Sequence, residues 1–445
     1  MSQAFAHSQE ALRAIAQAVL DHAAAIGATA CEVDVSEGLG QSISVRRQEV
    51  ETIEYNRDKG LGVTVYLGQR RGHASSSDFS LPALKASVEA ALSIARFTAE
   101  DDCAGLPDAG LLATRDIDLE LFHPWDISVE SAIDLARRCE QAAFDVSPLI
   151  RNSEGASVSA QSSHFVSANS LGFMGGFATS RHYVSCSVIA GEGDEMQRDD
   201  WYATRRKADD FPDAALIGDY AARRALARLG SRKLKTRKCP VIFEAPLAAG
   251  LIGSFVHAIS GGALYRKTSF LLDSLGKQIF PRFVQISERP HMRGGFASSP
   301  FDDDGVATRD REVVKDGTLQ GYFLSTYSAR KLGMQTTGNA GGAHNLLVQP
   351  GKHDLKGLLR EMGSGLLVTE LLGQGVNYVT GDYSRGAAGY WVEKGEIAYP
   401  VEEITIAGNL REMLQGVVAI GKDIEVRGSK QVGSVLVERM TIAGN

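Results

Sequence analysis

Ten histidines are the side chains best suited to hold a catalytic metal, yet no two of them lie three to five residues apart. A hydrolytic zinc site ordinarily needs two imidazoles one helical turn apart, with a carboxylate beside them to polarise water. The nearest pair, His344 and His353, is separated by the turn signal Gln349-Pro350-Gly351. Asp302-Asp303-Asp304-Gly305 lacks the alternating spacing of a calcium loop and reads as an acidic turn before a strand. A serine nucleophile has no G-x-S-x-G elbow. The closest approach, Gly363-Ser364-Gly365, sits at a helix end, where glycine is a stop signal. No phosphate-binding G-x-x-x-x-G-K-[ST] loop occurs either, so nucleotide hydrolysis and dinucleotide redox lose support. His257, alone in an apolar helical segment, is expected as a buried, hydrogen-bonded histidine.

The elements that must carry these residues can be read from patterning. With 445 residues, 44% of them hydrophobic, and a net charge of −7, the chain can build cores and is not globally disordered. Two or three domains fit the length. Five cysteines with no C-x-x-C argue against a disulfide scaffold or zinc ribbon and for reduced thiols. The segment MSQAFAHSQEALRAIAQ reads as no secretory leader, and the cytoplasm is the expected compartment. Ala245 to Tyr265 holds no charge, but its glycines, Pro246 and helically spaced Leu247, Leu251, Ile252, Phe255 and Ile259 read as a buried amphipathic helix rather than a membrane span.

Residues 1–232 use one device twice. Leu12, Ala16, Val19 and Ala23 mark a helix. Alternating segments CEVDVSEG, QSISVRRQEVETIEYNR and GLGVTVYLG suit strands, and a helix capped by Ser80 closes the unit. Ala132, Ala136, Cys139 and Ala143 open the second unit, two strand segments follow, and a helix ends it near Gly230. The expectation is helices on a mixed sheet with an internal duplication, although identity between the halves is too weak to prove one. The basic run 231–238 reads as a solvated connector, and no aromatic residue is interleaved to suggest nucleic acid. Residues 233–445 read as mainly antiparallel β structure with short helices. Hairpins are signalled at Asp316-Gly317 and Lys394-Gly395, and helices at 355–362 and after Asn409. The fold class is α+β.

Three segments carry more than patterning: DDDGVATRDREVVKDGTLQGYFLSTYSARKLGMQTTGNAGGAHN (302–345), GDYSRGAAGYWVEKGEIAYPVEEITIAGNLREML (381–414) and GSVLVERMTIAGN (433–445). With them the chain resembles the TldD/PmbA family, also called the modulators of DNA gyrase. It is nearest the PmbA/TldE branch, and the resemblance extends over nearly the whole length. It implies a cytoplasmic zinc metallopeptidase assembly in which TldD-type and TldE-type chains pair to cleave unfolded or modified peptides, including precursors of peptide antibiotics and antitoxins. TldD-type chains carry H-E-x-x-x-H on a helix and a cysteine ligand near the C-terminus. The corresponding stretch here is GLIGSFVHAISGGALYRKTS (250–269). Aligned on Thr268-Ser269, it has Ile252 and Gly253 at the first His and the Glu, and only His257 at a ligand position. Cys239 is the last cysteine.

Isoleucine and glycine can neither bind zinc nor accept a proton. The resemblance with these departures therefore implies a subunit without catalytic residues or a metal of its own, whose TldD-type partner holds the zinc. A homodimer is its expected state when alone, and neither nucleic acid nor membrane is an expected partner. Residues expected to face substrate or partner are His257 and His344, with Asp382, Tyr383 and Arg385 placed in a loop beside Ser384. The glycines of Thr337–Gly342 and Gly386–Gly389 are expected to admit a peptide backbone held along an exposed sheet edge. Two alternatives stay open: a metallopeptidase in its own right, with ligands drawn from His257, His291 and His344, and an interaction protein acting on gyrase. The negative net charge weighs against direct DNA contact.

Overall fold

The computed structural model describes residues 5–444. The first four residues of the segment read for a leader, and Asn445 at the end of the last family-like segment, lie outside the described residues. The first unit runs α1 (Gln9–Ala25), β1 (Ala30–Arg46), β2 (Glu49–Leu67), β3 (Arg70–Ser76) and α2 (Leu81–Phe97). The second runs α3 (Val129–Val146), β4 (Ile150–Asn169), β5 (Met174–Gly175), β6 (Ala178–Ala190), β7 (Gln197–Arg205) and α4 (Ala214–Ala227). Their strands form one sheet of order β3-β2-β1-β4-β6-β7, with β5 added to β4. The two units thus mirror each other across the β1/β4 pair, the arrangement an internal duplication would leave.

The sheet is antiparallel at every pairing rather than mixed. Short turns join successive strands within each unit, and such turns allow only antiparallel neighbours. Two readings of the strands also change. CEVDVSEG and QSISVR form one continuous strand through Gly38 and Gly40, and the QSISVRRQEVETIEYNR segment folds back on itself at Arg47-Gln48. Both turn residues have positive φ without being glycine. A remote side chain holds them there: Glu140 of α3, wholly buried, accepts hydrogen bonds from the backbone N–H of Arg47 (2.8 Å) and Gln48 (2.7 Å).

Alternation puts one face of this sheet in the core. Cys31, Val33 and Val35 pack beneath α1 and α2, and Ile43 and Val45 farther along β1 pack beneath α3 and α4. The opposite face carries Glu32, Asp34, Ser36, Ser157, Ser159 and Ser163.

The remainder contains β8 (Arg237–Phe243), α5 (Ala245–Ala258), α6 (Gly261–Tyr265), β9 (Ile286–Glu288), β10 (Arg311–Lys315), β11 (Thr318–Leu319), α7 (Thr326–Lys331), β12 (Leu346–Val348) and α8 (Leu355–Met362). It continues through β13 (Gly365–Leu372), β14 (Asp382–Glu393), β15 (Glu396–Asn409), α9 (Leu410–Gln415), β16 (Val417–Ile420), β17 (Lys430–Gln431) and β18 (Val435–Ala443). Strands pair in the order β15-β14-β13-β8-β18, and β15 then pairs with β18, closing a barrel. Where the two strands pair, closure removes the free edge they would otherwise present. The closing pair is short, covering β15 only at Thr405, Ile406 and Ala407. Both expected hairpins form, with Asp316-Gly317 and Lys394-Gly395 each having both φ values positive. The apolar run 245–265 is two helices, because the chain turns at Ile259-Ser260.

Candidate functional site

Strand β8 leaves the barrel at Phe243 and passes through Glu244 directly into α5. Pro246 in the first turn suits a position whose N–H has no helical partner. Ala248, Leu251, Ile252, Phe255 and Ala258 bury one side of α5 against the barrel. Ile252 is 3% exposed and packed, whereas His257, about 140° farther round the helix, lies on the solvent side. His257 is not the buried, hydrogen-bonded residue expected. Its ring lies against that of Tyr378, with centroids 4.0 Å apart. Gly253 shares its outward face, and a methyl group there would meet only the Lys430 side chain.

The start of α5 is fixed by ion pairs that cross from the N-terminal sheet. Arg224 of α4 donates to Glu244 (2.8 Å) and to Asp199 of β7 (3.1 Å), and Arg228 pairs with Glu370 of β13 (2.6 Å). Burial pushes the Glu244 carboxyl up, opposed by Arg224. The two carboxylates in turn push Arg224 up against the effect of its burial. Beside them a cavity of ≈ 490 Å³ is lined by Trp201, Tyr220, Pro246, Asp423 and Glu425.

The residues between Leu372 and Asp382 fold over the other end of α5. The Phe270 N–H donates to the Tyr378 carbonyl, and Arg411 bonds the Phe270 carbonyl. Asp382, Tyr383 and Arg385 lie on β14, paired with β15, rather than in a loop. Strand alternation then sets Asp382 on the face opposite Tyr383 and Arg385. Asp382 faces out and accepts from Thr380 Oγ1 (2.7 Å). Tyr383 turns into the barrel, where burial pushes its phenol up to about 12. Arg385 keeps its Nε buried without a partner. His257 and Asp382 thus share a neighbourhood through the 372–382 connection.

His344 does not join them. It is buried, its two ring nitrogens facing the carbonyls of Ala297 (3.2 Å) and Gly338 (3.0 Å). His291 bonds Thr308 Oγ1 (3.0 Å). Of the glycines expected to admit a peptide, Gly342 stands open, whereas Gly389 and Gly341 are crowded by this chain itself. An added Cβ at Gly389 would stand 1.9 Å from the Leu367 carbonyl, and one at Gly341 would stand 2.3 Å from the Asp303 carboxylate. The Gly-rich turn is also anchored by Asn339, which donates to buried Glu288 (2.8 Å), itself paired with Arg311 (2.6 Å).

Zinc does not fit the side chains around α5. Among the described residues no group of three or more His, Cys, Asp or Glu is placed to hold an ion. Burial pushes the Cys239 thiol up to about 11.

Sequence reasoning missed a carboxylate cluster where the two parts of the chain meet. Asp302 is 2% exposed and receives the N–H groups of Asp304, Val306 and Ala340. Burial first, and Asp304 second, push its carboxyl up to about 7. Glu32 on β1, which accepts from Tyr66 Oη (2.9 Å), is likewise pushed up to about 7 by burial, with Asp304 and Asp34 adding to the effect. The triple aspartate was visible in the sequence, but its meeting with Glu32 was not.

Domain profiles cover most of the chain: the PmbA/TldA metallopeptidase domain 1 over residues 31–95, the central domain over 122–229 and the C-terminal domain over 236–444. The metalloprotease PmbA homolog of Haemophilus influenzae is 50% identical over 99% of this chain and 97% of its own. The chain belongs to the PmbA/TldD metallopeptidase family. Within that family it is less close to the metalloprotease TldD homolog of the same bacterium, which is 23% identical over 84% of this chain and 81% of its own. A crystal structure of a Bacteroides thetaiotaomicron protein named as a modulator of DNA gyrase superposes with a TM-score of 0.93 at 26% identity, covering 98% of this chain and all of that one.

Proposed function

We propose that this chain is a non-catalytic PmbA/TldE-type subunit of a cytoplasmic peptidase assembly whose zinc and general base are supplied by a TldD-type partner. The observation that carries this reading is α5. Where a peptidase of this family would present its ligands and base, the helix offers a packed Ile252, a bare Gly253 and one solvent-facing histidine stacked on Tyr378. His257, His291 and His344 occupy separate surroundings, which speaks against a self-sufficient metallopeptidase. One bacterium carrying both a close relative of this chain and a TldD homolog supports a pair of related subunits. Exposed His257, Leu372, Val379 and Asp382 are the residues we assign to the side facing partner and peptide. Five free cysteines agree with a reducing compartment.

Metal analysis and peptide hydrolysis on the purified chain, alone and mixed with a TldD-type chain, test the reading. Alone it should hold far less than one zinc per chain and cleave nothing, and the mixture should do both. Stoichiometric zinc with hydrolysis by the lone chain would overturn it.

A further inference from the structure

Residues 5–7, ahead of the Ser8 cap of α1, lie over the stretch of β1 between Val35, which packs beneath α1 and α2, and Ile43, which packs beneath α3 and α4. Glu37 stands in that stretch and is 7% exposed. Its Oε1 accepts the N–H of Ala6 (2.7 Å). Its Oε2 faces the N–H of His7 (3.1 Å), the His7 ring (3.3 Å) and the ring of His164 on β4 (3.4 Å). Phe5 stacks on the His164 ring with centroids 3.9 Å apart and meets Phe122 at 5.9 Å. Among the described residues no backbone-to-backbone hydrogen bond holds Phe5, Ala6 or His7. The segment is therefore a strap, held by one carboxylate and one buried imidazole.

His164 is 4% exposed, and each of its ring nitrogens has a polar neighbour. Nε2 faces the Glu37 carboxylate, and Nδ1 faces Gln9 Oε1 at 3.2 Å. The Gln9 amide cannot be turned round, because its Nε2 donates to the Phe165 carbonyl (2.9 Å). Burial pushes the Glu37 carboxyl up, but the N–H groups of Ala6 and His7 and the two rings outweigh it and hold the group below its ordinary range. Both neighbours of the His164 ring thus only accept. A neutral imidazole carries one N–H and would set a bare nitrogen against one of them, whereas the imidazolium donates to both.

The geometry points to a proton-operated strap: residues 5–7 are held while His164 carries both ring protons, and they come away from Glu37 when the ring loses one. A buried acceptor facing an acceptor is costly, and the strap, with the fewest backbone bonds around it, is what yields. His7 is not the operator, since only its Nδ1 meets the carboxylate and a neutral tautomer satisfies that contact. Two further cations stand close by. Lys59, opposite Glu37 on β2, lies over Phe79 (5.1 Å), whose ring meets that of His7 (5.4 Å). Arg13, one turn along α1 from Gln9, donates to the Met174 carbonyl. Release uncovers Glu37 and His164 in the gap between the two helix pairs. The device is internal to the N-terminal sheet and does not depend on whether the chain is catalytic.

Hydrogen exchange at single-residue resolution on the full chain, corrected for the intrinsic pH dependence of exchange, tests it. Protection of the Ala6 and His7 amides should fall roughly tenfold or more between about pH 6 and about pH 9, the span in which an imidazole beside a carboxylate gives up its proton. Val19, in the middle of α1, should keep its protection over the same span. His7→Gln should retain the fall, and His164→Gln should abolish it. Nitrogen NMR of the histidine-labelled parent should show the His164 ring carrying two protons wherever the strap is protected and one wherever it is not. A strap equally protected at both ends of the range overturns the proposal. So does a fall that survives His164→Gln, one that disappears in His7→Gln, or a singly protonated His164 ring in the protected state.

Discussion

Replacing Arg224 by methionine would leave Asp199 and Glu244 as two buried carboxylates without the cation that bridges them at 3.1 and 2.8 Å. The side chain of Arg224 is 13% exposed and those of its partners 10 and 11%, so solvent offers little relief. Breaking a buried pair from one side typically costs about 3–5 kcal/mol. Arg228, 3.7 Å from Asp199, offsets part of this, which puts the expectation near 3 kcal/mol at pH 8. The loss should depend on pH in a definite direction. Glu244 already has its folded pKa raised, and removing Arg224 raises it further. A raised carboxyl favours the folded state below its unfolded pKa and loses that contribution as pH climbs through the folded value. The gap between parent and variant should therefore narrow at pH 5 and widen at pH 8. Urea unfolding followed by circular dichroism at both values measures it. Lysine at this position, a single point charge, should fall between the two because it cannot bridge both carboxylates as the guanidinium fork does. A gap below about 1 kcal/mol at pH 8, or one equal at both pH values, would refute the account of how α5 is anchored.

Further outcomes follow from other contacts. Glu140→Gln removes one of the two acceptors that hold the Arg47-Gln48 turn and should cost about 2–3 kcal/mol, with faster amide exchange at those two residues. Glu32, pushed up to about 7, binds a proton in the fold that the unfolded chain gives up at its ordinary value near 4.5. Stability should thus fall as pH rises from 4.5 through about 7 in a thermal unfolding series, and Glu32→Gln, which keeps an acceptor for Tyr66, should flatten that slope. Gly389→Ala forces a methyl onto the Leu367 carbonyl and should cost about 3 kcal/mol in chemical unfolding. His257→Ala gives up only an exposed ring contact with Tyr378 and should cost about 0.5–1.5 kcal/mol in chemical unfolding.

Much of the architecture was legible from local pattern. Leu12, Ala16, Val19 and Ala23 are buried on α1 as their spacing required, and Asn409 caps α9 by accepting from the Arg411 N–H. The two glycine-containing hairpin turns form as read, because positive φ leaves few other choices of residue. The turn at Arg47-Gln48 was invisible for the converse reason: neither residue favours that conformation, and the carboxylate that holds it comes from α3, nearly a hundred positions away. His257 was misplaced because an apolar helix does not reveal which of its sides the barrel covers.

The sequence by itself determined the α+β class, the repeated order of elements and the side chains on α5 that cannot bind zinc, because propensity, period and ligand chemistry are properties of the residues themselves. Only the tertiary structure decided that the C-terminal strands close into a barrel, that Asp382 points away from Tyr383 and Arg385 on one strand, and that Glu32 comes near Asp304. Those outcomes depend on which distant segments share a boundary, and burial, charge coupling and hydrogen-bond partners exist only once that boundary has formed.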